Sequence, residues 1–277
     1  MRDSSSGPSA PSGGAPAPPL PSMPAGVLSK MGHELRSPLN GVIGLTRIML
    51  MKLAAGPVDA GQQIRQLEMV QTSANRLLAS IERLVDIAKI ESGGRHPSWE
   101  SVDCTALAAE VTRLLEPAAD ANRVTLLLAS PDGPVVVTSD PGALRQLLRE
   151  LVDNAVKFAD PGAGRVHVEV RPVDPEGAAQ ISVTDNGPGI PAPDQDRIFD
   201  AFVRGDAAAQ RDENGSGLGL YLAARLAGLL GARLRLERLP GAGSSFTISI
   251  PANPYYPVAK PTARPAATTA MPSQTAG

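Results

Sequence analysis

Apolar side chains recur every three or four positions between residues 27 and 53, through Leu28, Met31, Leu35, Leu39, Val42, Thr46, Met49 and Leu53. That spacing lines one side of an α-helix. Gly56-Pro57 ends the run, and a second stripe follows through Ile64, Leu67, Val70, Ala74, Leu77, Ile81, Leu84 and Ala88, stopping at Glu91-Ser-Gly-Gly94. Two such helices joined by a short turn form an antiparallel hairpin. A hairpin buries only one stripe per helix, so a symmetric homodimer through residues 27–92, closing a four-helix bundle, is the expected way to cover the rest.

Beyond Trp99 the pattern shortens. Residues 104–121 read as a helix, and residues 124–128 and 135–137 as strands. Asp140-Pro141 is a cap followed by proline at the first helical position, opening a helix that reaches Phe158. Strands are expected at 165–171 and 179–185, a helix after Gly217, and a last strand pair at 233–238 and 245–250. The fold class is α + α/β: a helical hairpin over 27–95, then a two-layer α/β sandwich of mixed strand order over 96–252. It lacks the βαβαβ order and the early glycine turn of a dinucleotide-binding unit. Residues 1–26 and 253–277 are dominated by Pro, Ser, Gly, Ala and Thr, and are expected to be disordered, with Tyr255 and Tyr256 able to dock locally.

Composition removes several functions. A net charge of -2 over 277 residues gives no footprint for nucleic acid. Cys104 is the only cysteine, so no internal disulfide forms, and no Cys/His cluster has zinc spacing. No run approaches a membrane span, and Arg2 is not followed by a hydrophobic signal region, so a cytoplasmic location without membrane contact is expected.

His33 lies roughly 165° from the centre of the first stripe at 100° per residue, which turns it to solvent. Glu34 beside it can hold one imidazole nitrogen and leave the other as a nucleophile. Ser37 follows one turn on, and Pro38 removes an amide donor and invites a kink there. Such a histidine suits a phosphoryl acceptor. In the second domain Glu150 and Asn154 are one turn apart on one helix and can reach a single magnesium ion, while Lys157 is placed for phosphate oxygens. Asp185 ends the apolar strand Ile181-Ser-Val-Thr-Asp185, and Gly187 and Gly189 turn the chain after it, so its carboxylate can accept a hydrogen bond from an adenine amine. The loop Gly215-Ser216-Gly217-Leu218-Gly219-Leu220 opens a helix whose free amides can meet a polyphosphate. The polar stretch from Arg204 to Asn214 has no apolar anchor and is expected to close over nucleotide as a lid.

The boxes at His33-Glu-Leu-Arg-Ser-Pro-Leu39, Asn154, Asp185-x-Gly187-x-Gly189, Phe199-x-x-Phe202 and Gly215-x-Gly217-Leu-Gly219-Leu220 resemble, in this order, those of the sensor histidine kinases of two-component signalling. The resemblance covers roughly residues 27–252. It implies a dimerisation and phosphotransfer hairpin with His33 as phosphoacceptor and Glu34 as its partner, joined to an ATP-binding domain of the Bergerat type. It assigns Asn154 to magnesium, Lys157 to phosphate, Asp185 to adenine and residues 215–220 to the phosphates of ATP. The implied acceptor is an aspartate on a response-regulator receiver domain, with input from an upstream sensor protein and a hinge at residues 92–97. Two positions depart from the family pattern. Glu150 stands where many members carry Asn, and in water-attacking ATPases of the superfamily a Glu there is a base. Ser37 replaces the Thr or Asn that supports dephosphorylation of the regulator. Two rival readings follow: an ATPase with Glu150 as base, and a degenerate kinase acting as a scaffold.

Overall fold

The computed structural model describes residues 26–56, 58–173, 178–203, 216–238 and 243–252, except for the side chains of 26–31, 33 and 34. Helices α1 (Gly26–Ala55) and α2 (Ala60–Glu91) form the expected hairpin. α1 runs through Pro38 without interruption. The carboxylate of Asp59 caps α2 by accepting the N–H of Gln62 at 2.7 Å. Gly41 fits against Ser73, whose Oγ would lie 3.2 Å from a Cβ at that position, so the two residues stand opposite each other in the hairpin.

The second unit comprises β1 (Glu100–Asp103), α3 (Cys104–Ala121), β2 (Val124–Ala129), β3 (Val136–Ser139), α4 (Pro141–Phe158), β4 (Gly164–Val173), β5 (Ala178–Asp185), α5 (Ala192–Gln195), α6 (Gly219–Leu229), β6 (Arg233–Arg238) and β7 (Ser244–Ile250). Five strands form one sheet in the order β2-β4-β5-β7-β6. β2 runs parallel to β4, and the other neighbours are antiparallel. The sequence pattern did not reveal β1: it is four residues long and exists by pairing with β3.

Alternation along β5 buries Ala179, Ile181, Val183 and Asp185 on one face. The helices α3, α4 and α6 pack on the sheet, and α4 supplies Leu144, Leu147, Leu148, Leu151, Val152 and Ala155, all fully buried. On β5's other face, hydroxyl pairs Ser182–Thr247 (3.2 Å) and Thr184–Ser245 (2.9 Å) link it to β7.

The hairpin does not stand apart from the sandwich. The last turns of α2 bury Ile87 (1% exposed) and Ile90 (2%) in the core cluster, beside α4 and α6. Each burial contributes roughly 1.5–3 kcal/mol towards holding the two units together. Neither residue belongs to the stripe through Leu77, Ile81 and Leu84. The long repeat of α2 leaves Ile64, Leu67 and Ile81 exposed in the single chain, whereas Leu84, at its end, joins Ile87 and Ile90 in the core of the sandwich.

Truncating a core side chain on α4 removes contacts that nothing else replaces. Leu148→Ala is expected to cost about 3 kcal/mol and lower Tm by roughly 6–12 °C in calorimetry.

Candidate nucleotide site

A cleft of about 530 Å³ lies between α2 and the sandwich. The sandwich side carries Glu150, Asp153, Asn154 and Lys157 from α4, Asp185 from β5, Gly189, and Ser216, Gly217, Gly219 and Leu220 around the start of α6. The opposing wall comes from α2: Thr72, Asn75, Arg76, Ala79, Ser80 and Arg83.

α4 is held at its start by Asp140, which accepts the N–H of Ala143 at 2.7 Å with one oxygen and that of Ser98 at 2.8 Å with the other. Its stripe faces the core, which turns Glu150, Asp153, Asn154 and Lys157 to the cleft along one edge. Glu150 is only 5% exposed, and it is not alone. Arg83 of α2 donates its Nε–H to both carboxylate oxygens, at 3.0 and 3.1 Å. The same guanidinium stands 3.6 Å from Asp153, which also receives Lys157 at 2.7 Å. Burial lowers the pKa of Arg83, but the charge and hydrogen bond of Glu150 and the charge of Asp153 outweigh it and leave the group raised.

Asp185 is 4% exposed, on the same face of β5 as Ile181 and Val183, yet it borders the cleft. Its carboxylate accepts the N–H of Gly187 at 2.8 Å. Burial pushes its pKa above the ordinary value, against the lowering pull of the N–H groups of Gly187 and Ser244. A desolvated acceptor bordering a cleft is well suited to an exocyclic amine. Gly187 is required by close approach: a Cβ there would meet the carbonyl oxygen of Phe158 at 2.1 Å. Gly219 brings the glycine loop against α4, since its Cβ would lie 2.9 Å from Oε2 of Glu150.

The remaining sequence candidates fall into three groups. Gly187, Leu218, Phe199 and Phe202 stand behind the cleft: Leu218 is buried, Phe199 meets Phe246 edge-on at 6.3 Å, and the Phe202 N–H donates to the Gly217 carbonyl at 3.0 Å. Ser37 is exposed on α1 and takes no part in the cleft wall, and His33 and Glu34 lie within α1 with undescribed side chains. Arg204, Gly215 and the expected lid, like the expected disordered ends, lie outside the described residues. Arg83 and the rest of the α2 wall were not legible as site residues. Asp153 had a signal, its spacing of four from Lys157.

The donor set fits magnesium, which prefers oxygen ligands and keeps waters and phosphate oxygens in its shell. Glu150 and Asn154 would hold it, one turn apart on α4 and both bordering the cleft.

The cleft thus lies between the sandwich and a helix of the attached hairpin. Residues 139–254 match the family described as "Histidine kinase-, DNA gyrase B-, and HSP90-like ATPase", and residues 25–93 match the "His Kinase A (phospho-acceptor) domain". Sensor protein GacS of Pseudomonas syringae pv. syringae is 35% identical over 225 residues, 80% of this chain. The chain spans 24% of that relative's length. The crystal structure of full-length ShkA in complex with AMPPNP is 29% identical with a TM-score of 0.59, covering 81% of this chain and 45% of that one. The mycobacterial sensor histidine kinase MprB is 30% identical with a TM-score of 0.50, covering 56% of this chain and 99% of that one. The chain belongs to the sensor histidine kinases of two-component systems. Among the described residues no helix is long and apolar enough to cross a membrane.

Asp185→Asn separates binding from stability. Losing a hydrogen bond to a charged acceptor is expected to weaken adenine-nucleotide binding at least tenfold, roughly 1.5–3 kcal/mol, by calorimetric titration. The raised pKa means that the folded protein holds this proton more tightly than the unfolded chain, so ionisation destabilises the fold as pH rises. The Asn variant should therefore melt higher than wild type near neutral pH, with the difference vanishing as pH falls below the ordinary carboxylate range.

Proposed function

We propose that the chain autophosphorylates His33 with magnesium-ATP and passes the phosphoryl group to an aspartate of a response-regulator receiver domain. One observation carries this reading. The wall of the cleft nearest Glu150 is α2, and the contact of Gly41 with Ser73 fixes α1 against it. Eight residues before Gly41 is His33, and eight after Ser73 is Ile81, so the backbone of His33 runs level with the α2 turn that carries Ser80 and Arg83. The acceptor's helix thus passes the end of the cleft where the phosphate-handling residues gather.

In the transfer a ring nitrogen of His33 bonds to the γ-phosphorus, the bond from that phosphorus to the β,γ-bridging oxygen breaks, and ADP leaves with the electron pair. Glu34 has the role of holding the other ring nitrogen and accepting its proton. Asp185 seats the base, the amides at the start of α6 face the phosphates, and Lys157 balances their charge. Magnesium, when bound, would supply charge neutralisation on the phosphate oxygens, and Glu150 and Asn154 are the residues that would hold it.

Homodimerisation accompanies this reading. Leu39, Ile43, Leu50, Met51, Ile64, Leu67, Leu78 and Ile81 of the hairpin are all exposed in the single chain, an apolar surface that a second hairpin would cover. The ATPase alternative is disfavoured because Glu150 is engaged through both oxygens by Arg83 without nucleotide and would be committed to magnesium with it, so that in neither state is it placed to take a proton from water.

With γ-labelled ATP and magnesium, acid-labile and alkali-stable label is expected on wild type and at least a hundredfold less on His33→Gln. Label retained on the mutant would overturn the assignment, and free phosphate released by the mutant at the wild-type rate would favour the ATPase.

A further inference from the structure

Among the described residues, three polar links join α2 to the sandwich. Near its end Glu91 accepts the hydroxyl of Tyr221 and lies 3.7 Å from Arg225. One step back, Gln146 of α4 donates to Asp86 at 2.6 Å and accepts from Arg95 at 3.0 Å. The third is Arg83 on Glu150 and Asp153. The first two touch only side chains outside the cleft, whereas the third lies inside it.

We propose that Arg83 is a resident cation that competes with magnesium for Glu150, so that metal-nucleotide loading and docking of the sandwich on α2 oppose each other. This rests on the reading of the cleft as a magnesium-ATP site. Arg83 addresses both oxygens of a carboxylate that is nearly sealed from water, and its own side chain is 18% exposed. A divalent ion on that carboxylate would sit beside a guanidinium in a poorly screened setting, and two cations so placed repel strongly. One of them must leave. The departure from the family pattern creates the contest: a neutral Asn at position 150 would offer magnesium an oxygen without offering Arg83 a counter-charge.

Release of Arg83 does not free the whole interface. Ile87, Ile90, and the links through Asp86 and Glu91 lie farther along α2 and outside the cleft lining. Loading therefore pivots the sandwich about the end of α2 and opens the cleft towards the turn level with His33. By reciprocity, anything that presses α2 onto α4 weakens magnesium-nucleotide binding by the same factor.

The full chain is titrated with magnesium at fixed ADP, and nucleotide-free protein carries spin labels at exposed positions Gln71 and Asp196. Arg83→Ala is expected to half-saturate at about fivefold lower magnesium and to show, without nucleotide, the wider label distance that wild type reaches only with magnesium-ADP. Arg83→Lys, which keeps the charge but loses the two-point contact, should fall between them and guards against a folding artefact. In a Glu150→Asn background, Arg83→Ala should add nothing. Equal magnesium requirements in wild type and Arg83→Ala would overturn the proposal, as would weaker ADP binding by the variant, which would make Arg83 a phosphate ligand. Wild type that binds no magnesium-ADP at all would instead remove the nucleotide reading beneath it.

Discussion

Helix α4 has one face in the core and one edge in the cleft, and the rest of the molecule is arranged around that division. Its leucines close the core over the sheet, so the helix cannot rotate without opening a cavity. That immobility fixes Glu150, Asp153, Asn154 and Lys157 as a row. The row meets Asp185 on one side, delivered to the buried face by the two-residue period of β5, and α2 on the other. A site built from a row of this kind inherits the rigidity of the core, which electrostatic handling of phosphate needs.

The hairpin plays two parts at once. It carries His33, the proposed phosphoryl acceptor, and through α2 it forms a wall of the cleft. The contacts responsible are of different kinds: isoleucines at the end of α2, neutral and charged hydrogen bonds beside them, and one buried ion pair within the cleft. Only the last involves a group with a proposed role in metal binding. The hairpin and the proposed nucleotide site are therefore already in electrostatic contact in this state.

What the sequence made legible follows from distance along the chain. The helix at 104–121 and the α4 cap at Asp140 are set by neighbours within a few residues, and the structure places both as expected. Asp185 was readable because a single strand's alternation puts it in line with Ile181 and Val183. By contrast, Arg83 meets Glu150 across 67 residues and Tyr221 meets Glu91 across 130. Nothing local distinguishes Arg83 from a solvated arginine on a helix. β1 was missed for the same reason: four residues carry too little pattern, and its pairing with β3 supplies what the local chain does not. Ile87 and Ile90 interrupt the long repeat of α2, because the surface they serve belongs to another unit.

Asp140 holds two things together. One oxygen caps the first turn of α4 and the other anchors the linker at Ser98. The linker is thus fastened to a helix end rather than to the sheet. Strain passing along the linker meets the first turn of the helix that bears Glu150, Asn154 and Lys157, while α2 itself reaches the sandwich through Ile87, Ile90, Asp86 and Glu91. In mechanical terms that carboxylate is a pin at one end of α4, and the side-chain links of α2 are further points of attachment on the same lever.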